Sequence, residues 1–351
     1  MPFNLLFVAT QFGSFNVIYP ILKACSNRHR IGYIGIKDFE GTMIYKRVTA
    51  GDVEIDHGCL NRFDLFITGT SPYSDVEYKI WQYAARLNKK SICILDSHKD
   101  YERRFLKNNR YFFPNIICVM NEGTKGFLSS MNIDPYRMVV TGSPYLDSIY
   151  KYKLMDKERD MMKNGVLQGR KKIITFCTEY IAATGEKGKY GYDELQILDD
   201  ILYCIKSLRM DNFKLFIRLH PKDSIVFYED FLKRFDTEID YEFVRNDPEH
   251  KLLQLSDIVI GITSVILLEA GILGLNVVSY QPTKDRTKIH RYIDGIDNDL
   301  VTSRTGLMMA ICKLLNSSSM KIPYNSKYTP SNALGKIMEI IEKVLHDESL
   351  K

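Results

Sequence analysis

The sequence predicts an α/β protein made of two doubly wound parallel-sheet domains, on three observations. Short apolar runs recur along the chain, each ending in small or polar residues and each followed by a segment with helical spacing. The connections are short, and each parallel crossover needs a covering helix, so the rhythm specifies a parallel sheet. At 351 residues the chain exceeds what one hydrophobic core usually supports, so the cycle is expected to close once and begin again.

The first cycle opens with the apolar run Phe3 to Thr10, the turn Gln11-Phe12-Gly13-Ser14, and helical spacing from Val17 to Cys25. Gly13 and Ser14 lie where a helix N-terminus can meet an anion, although a turn with an N-cap is the plainer reading. Strands are expected at Ile31 to Ile36 and Asp64 to Thr68, then a helix from Asp75 to Leu87 with Val76, Ile80, Trp81 and Ala84 on one face. Ser91 to Asp96 is a strand that delivers Ser97, His98, Lys99 and Asp100 at its exit, before a helix-like stretch to Lys107. Ile116 to Met120 and Met138 to Thr141 close the series. Leu154 to Arg170 is strongly charged and reads as an exposed helix and linker, which places the first boundary near residue 165.

The second cycle has strands at Lys172 to Cys177, Lys214 to His220, near Tyr241, Asp257 to Gly261 and Leu275 to Tyr280. Helices are expected at Asp193 to Leu208, Ile225 to Phe235, Pro248 to Leu255 and Thr263 to Leu273, with a Gly-rich loop from Thr178 to Tyr192. Ser331 to Leu345 forms a last amphipathic helix.

Composition narrows the function. The chain is 45% hydrophobic and 26% charged with 22 Tyr and 18 Phe, which excludes a disordered protein. Its net charge is +5, from 48 basic and 43 acidic residues spread without a dominant block. Mild positivity suits phosphorylated ligands or an anionic membrane surface and gives no footprint for nucleic acid. The seven cysteines show no CxxC pair and no metal-type spacing, as expected of buried, reduced thiols in a cytoplasmic protein. No apolar stretch reaches the roughly 18 residues of a spanning helix, so any membrane contact is expected to be peripheral.

Chemistry concentrates where strands meet polar groups, since the carboxyl edge of a parallel sheet is where ligands bind. Thr263 and Ser264 follow a strand and open a helix, a place suited to a phosphate, or to an N-cap with nothing bound. Glu269 sits between Leu268 and Ala270 on an otherwise apolar helix, where a carboxylate is costly unless paired or turned to a ligand such as a ribose. Arg218 and His220 share one face of their strand, and Pro221 ends its pairing where the imidazole emerges. Together they can hold a diphosphate and stabilise charge on a departing nucleotide, or form a salt bridge and a cap. Asp96 and His98 are the acid/base pair of the first half, suited to deprotonating an acceptor hydroxyl. His57, Glu122 and Asp147 are weaker candidates. No metal site is expected, because Asp199-Asp200 and the Asp294 to Asp299 run read as solvent-facing or loop residues.

Arg218-Leu219-His220-Pro221 followed by Gly261-Ile262-Thr263-Ser264, Glu269-Ala270 and Gly274 resembles the GT-B glycosyltransferase superfamily and its relative UDP-GlcNAc 2-epimerase. Val139 to Asp147 is similar to the Thr-Gly-Asn-x-x-x-Asp segment of those epimerases. His220-Pro221 with Thr263-Ser264 resembles the His-Pro and Ser/Thr motifs of bacterial sialyltransferases, polysialyltransferases and CDP-glycerol glycerophosphotransferases. The resemblance implies two Rossmann-like domains with an interdomain cleft: residues 1–165 on the acceptor side, 166–326 binding the nucleotide donor, and a C-terminal helix in 327–351 that packs back on the first domain. It implies that His220 and the Thr263-Ser264 pair contact donor phosphates and that Glu269 contacts the ribose. The implied activity is a metal-independent glycosyltransferase or polyol-phosphate transferase of surface polysaccharide synthesis. It would use a CMP-, CDP- or UDP-linked donor, a glycan or lipid-linked acceptor and no cofactor. A nucleotide-sugar epimerase or hydrolase, and a non-catalytic nucleotide- or glycan-binding scaffold, are the alternatives. The chain departs from the epimerases at Ala9 to Ser14 and at Phe176 to Tyr180, where their Gly-Thr-Arg-Pro-Glu and His-Arg-Arg-Glu-Asn segments have no counterpart, which speaks against epimerisation. It has only a partial match, Asn121-Glu122-Gly123, to the acidic-Gly motif of the sialyltransferases.

Overall fold

Strands that are apolar on both faces fold only where both faces are covered, and here helices cover them. The computed structural model describes residues 2–36, 44–47, 57–97, 100–166, 172–184, 187–210, 212–234, 239–285, 300–316 and 331–347. The chain divides into two compact units, Met1–Ser148 with Pro330–Lys351, and Ile149–Thr329.

In the first unit the strands are β1 (Asn4–Ala9), β2 (Arg30–Gly35), β3 (Ile44–Arg47), β4 (Leu65–Thr68), β5 (Lys90–Ile94), a small antiparallel hairpin of β6 (Leu106–Lys107) and β7 (Arg110–Tyr111), β8 (Ile116–Val119) and β9 (Met138–Val140). The main sheet runs β3-β2-β1-β4-β5-β8-β9. All its ladders are parallel. Its helices are α1 (Phe12–Cys25), α2 (His57–Leu60), α3 (Val76–Arg86), α4 (Tyr101–Phe105), α5 (Glu122–Ser130) and α6 (Pro144–Lys151), which crosses the division.

Leu5 to Ala9 are fully buried. Alternation along β1 sends Leu5, Phe7 and Ala9 into a cluster with Ile18 and Ile21 of α1, while Leu6 and Val8 meet Phe63, Ile80 and Ala84 on the other face. The α3 face predicted from spacing is buried, and Trp81 Nε1 donates to Thr68 Oγ1 at 2.8 Å.

The second unit contains α7 (Asp156–Val166), β10 (Lys172–Cys177), α8 (Ile181–Thr184), α9 (Lys187–Tyr190), α10 (Glu194–Ser207), β11 (Phe213–Arg218), α11 (Ile225–Leu232), β12 (Tyr241–Val244), β13 (Ile258–Gly261), α12 (Val265–Ile272), β14 (Val277–Tyr280), β15 (Leu300–Val301) and α13 (Arg304–Asn316). Its sheet runs β12-β11-β10-β13-β14-β15, again wholly parallel. Ile174, Phe176, Ile260 and Tyr280 pack under Ile197, Ile201 and Ile205 of α10 and Leu307 and Ile311 of α13. The opposite face joins Ile173, Phe216, Val244 and Leu255.

The last helix, α14 (Ala333–Leu345), returns to the first unit and inserts Ile337, Ile340 and Ile341 beside α1. Asp147 fixes its start by accepting from the Ser331 and Ala333 amides at 3.1 and 2.8 Å, so this carboxylate is a helix cap.

Several local expectations give way. The charged segment from Leu154 does form the expected exposed helix, α7, but it is tied to the second unit by Arg159 Nη2 to the Ser256 carbonyl at 2.7 Å and by Lys163 to Asp257 at 2.6 Å. The division accordingly falls between residues 148 and 149, not near 165. Pro248 to Leu255 is not one helix but two 3-10 turns, because Glu249 and His250 have φ of +57° and +55°. The Thr178 to Tyr192 loop contains α8 and α9. Asp200 is buried rather than solvent-facing: it accepts from Tyr280 Oη at 2.5 Å and pairs with Arg304. The 294–299 run lies outside the described residues.

If α14 is part of the first core, Ile337→Ala lowers stability by about 2 to 5 kcal/mol, read by chemical denaturation. A change under about 0.5 kcal/mol would contradict its packing.

Candidate functional site

In the second sheet the strand order reverses between β10 and β13, and α/β proteins open a crevice at such a point. The residues leaving β10, β11 and β13 form its rim. Arg218, at the end of β11, is neutralised by Asp247 at 2.9 Å. That carboxylate also accepts from the Leu252 and Leu253 amides at 2.8 and 2.9 Å, which fixes the loop carrying His250. His250 Nε2 lies 3.2 Å from Glu269 Oε2, with the two side chains 10% and 3% exposed.

Opposing forces act on His250. Burial, with the Arg218 charge, brings the imidazole down to about 4, against Asp247. The neutral ring therefore donates Nε2–H to Glu269, and its Nδ1 is buried with no hydrogen-bond partner among the described residues. The partner that Glu269 needs in its apolar helix is this histidine.

His220 follows β11. Its amide donates to Thr178 Oγ1 at 2.7 Å, and its Nδ1 accepts from the Lys222 amide at 3.3 Å. Burial lowers its imidazole below the usual histidine range, with Asp223 and Glu179 opposing and Lys222 assisting. The ring is a neutral hydrogen-bonding group rather than half of a cationic pair. Tyr180 stacks on it, with ring centroids 5.7 Å apart and planes at 20°.

Tyr180 has φ +64°, a region bulky residues rarely occupy, at a cost of about 1 to 3 kcal/mol. Its neighbour Glu179 reaches across the crevice to the start of α12. Thr263 donates its amide to Glu179 Oε1 and its hydroxyl to Oε2, the latter at 2.6 Å. Ser264 caps α12, accepting from the Ile266 amide at 3.4 Å, and Gly274, at φ +82°, ends that helix. Cys177 is no nucleophile, since burial pushes its thiol up to about 12.

The five residues expected here, Arg218, His220, Thr263, Ser264 and Glu269, thus belong to one sheet edge and the helix it feeds. Sequence reading missed Glu179, Tyr180, Asp247 and His250. One signal was available for the first: Glu179 lies two residues beyond an apolar strand, as Arg218 ends one.

The first sheet reverses between β1 and β4. There Asp96 pairs with Arg104 at 2.7 Å, both side chains about 5% exposed or less, and accepts from Thr70 Oγ1 at 2.5 Å. Gly13, in the first turn of α1, faces the same carboxylate, and a Cβ built on it would stand 2.5 Å from Asp96 Oδ2. Asp96 is therefore engaged as a buried ion pair at a helix N-terminus. Glu77 is buried beside it and accepts from the Thr10 amide and hydroxyl at 3.1 and 2.5 Å; burial raises its carboxyl. His98 lies outside the described residues. Glu122 opens α5 at the surface, and the side chain of His57 is also outside the description. Among the described residues no group of three His, Cys, Asp or Glu side chains is arranged to hold a metal ion.

No protein-family model and no curated protein sequence matches the chain. Solved structures do. UDP-GlcNAc 2-epimerase from Neisseria meningitidis bound to UDP-GlcNAc superposes with a TM-score of 0.69 at 14% identity, covering 97% of this chain and 100% of that one. A glycosyltransferase from Rickettsia africae gives 0.64 at 12%, covering 98% and 99%. The wall teichoic acid polymerase TagF gives 0.59 at 17%, covering 99% and 90%. The chain has a GT-B-type fold. In GT-B terms, the second unit carries the sheet edge with the paired Arg218 and Glu269, and the first carries the buried Asp96–Arg104 pair.

Because His250 sits near 4 in the folded chain against 6.5 when exposed, its contribution to stability is complete above 6.5 and is lost as pH falls toward 4. His250→Gln is expected to flatten that acid limb of a melting-temperature profile. An unchanged slope would contradict the neutral, buried ring. Arg104→Ala, which strands Asp96, is expected to destabilise the protein by about 3 to 5 kcal/mol; a near-neutral urea midpoint would show that the pair is not buried.

Proposed function

We propose that the protein is a transferase that takes a glycosyl or polyol-phosphate group from a nucleotide-activated donor and passes it to a hydroxyl acceptor in surface polysaccharide or glycoconjugate synthesis. The observation that carries this reading is Glu269: a carboxylate 3% exposed on an apolar helix, held by a neutral histidine, at the edge that also presents His220 and the start of α12. A carboxylate so held accepts both hydroxyls of a ribose. From there the phosphates run to the N-terminal turn of α12, where Ser264 and the helix dipole favour negative charge. Neutral His220 donates a hydrogen bond to the departing phosphate as its charge grows, and Arg218, paired with Asp247, offers a further N–H donor.

The donor is CMP-, CDP- or UDP-linked and the acceptor a glycan or a lipid-linked chain. We place the protein in the cytoplasm, with peripheral contact at the inner membrane surface. No helix among the described residues is long and apolar enough to cross a membrane. Asp96, engaged with Arg104, orients the acceptor side, and His98 is the base proposed for the acceptor hydroxyl.

A nucleotide-sugar 2-epimerase is the second reading, favoured by the fold likeness to the Neisseria enzyme and opposed by the missing epimerase segments at Ala9 to Ser14 and Phe176 to Tyr180. Thermal-shift titration with UDP, CDP, CMP, GDP and ADP is expected to raise the melting temperature for at least one pyrimidine nucleotide. Glu269→Ala should weaken that nucleotide about tenfold or more, and His220→Ala should lower turnover about 100-fold with little change in binding. Unaltered binding and activity in both variants would remove the site. Following the donor alone by NMR separates the readings, since an epimerase inverts the sugar without an acceptor and a transferase leaves it intact or slowly hydrolyses it.

A further inference from the structure

Glu179 and Tyr180, in the loop that leaves β10, occupy both groups assigned above to the donor phosphates. Glu179 takes the amide and hydroxyl of Thr263, and Tyr180 covers one face of the His220 ring. We infer that the Glu179-Tyr180 pair is an intramolecular latch: the Glu179 carboxylate stands in for a phosphate at the mouth of α12 and is displaced when the donor enters.

This rests on the nucleotide-donor reading and adds a competitor to it. A carboxylate and a phosphate oxygen ask the same things of a backbone amide and a hydroxyl, so the two cannot hold Thr263 together. Glu179 bridges the loops that leave β10 and β13, the neighbours between which strand order reverses, so the latch lies across the crevice itself. It is only half buried, which leaves its carboxylate a path to water.

A separate observation shows that the latched arrangement leaves a polar group unmet. The Tyr192 hydroxyl is fully buried without a hydrogen-bond partner among the described residues, and burial, with the Glu179 charge second, raises its phenol. Tyr180, at φ +64°, holds the same pair in a strained backbone conformation.

The latch makes Glu179 a residue that opposes binding, the reverse of an ordinary site residue. Calorimetric titration of inorganic pyrophosphate and of UDP into the full chain, Glu179→Gln and Glu179→Ala tests it. Both variants are expected to bind pyrophosphate about tenfold more tightly than the parent, the worth of one charge-assisted hydrogen bond. Their melting temperatures without ligand should fall, because the bridge from Thr263 to the Glu179 carboxylate is weakened or lost, while the ligand-induced rise grows. Equal or weaker affinity in folded variants, with the parent binding normally, overturns the latch and leaves the donor reading standing. Absence of pyrophosphate and UDP binding in all three proteins overturns both.

Discussion

Parallel pairing is the constraint from which the rest of this structure follows. A parallel ladder gives each strand the same direction, so every chain segment leaving a strand emerges at one edge, and both faces must be covered by helices to bury the apolar side chains. In the second unit that rule brings Glu179, Arg218 and Thr263 to one rim although they lie far apart in sequence. It also fixes where the rim opens, between β10 and β13, since helices on the two sides of a reversal diverge. The hydrophobic core needs no polar group there. The polar residues at that edge are therefore free to serve chemistry, provided each is paired in the meantime.

How they are paired is the more informative feature. Arg218 is matched by Asp247, Glu269 by His250, Thr263 by Glu179, and in the first unit Asp96 by Arg104. Stranding one member of a buried pair costs several kcal/mol, so the partners hold each functional group in place without a ligand. The second unit also uses an internal carboxylate at a helix start where an anionic ligand is expected, and Asp96 stands near the start of α1 in the same way. Under the latch proposal the ligand binds by exchange, and net affinity then reflects the difference between two similar contacts.

Much of the fold was legible because buried parallel strands read as unbroken apolar runs and their helices as 3.6-residue periodicity. The two-cycle architecture, the α3 face at Val76, Ile80, Trp81 and Ala84, and the helix after Thr263-Ser264 were all visible in that way. The candidate residues on β11 and α12 were legible for a different reason: Arg218, His220 and Glu269 interrupt apolar segments, and an interruption of that kind needs a partner. The partners themselves were not legible. Asp247 and His250 lie in an irregular loop with left-handed backbone at Glu249 and His250, and no periodicity marks them. Asp200 was misread because an acidic pair on a helix usually faces water, and only the tertiary structure brings Tyr280 and Arg304 onto it. Leu106 and Lys107, which the spacing from Tyr101 puts at the end of a helix, instead open a hairpin whose turn, Asn108 and Asn109, has φ of +50° and +57°.

The central claim is that the carboxyl edge of the second sheet is a nucleotide site. A crystal structure of the protein grown with UDP or CMP tests it most directly. The account predicts ribose hydroxyls on Glu269 and a phosphate oxygen about 3 Å from the amides at the start of α12. Nucleotide density elsewhere on the molecule, with the Glu269–His250 and Arg218–Asp247 pairs untouched, would contradict it.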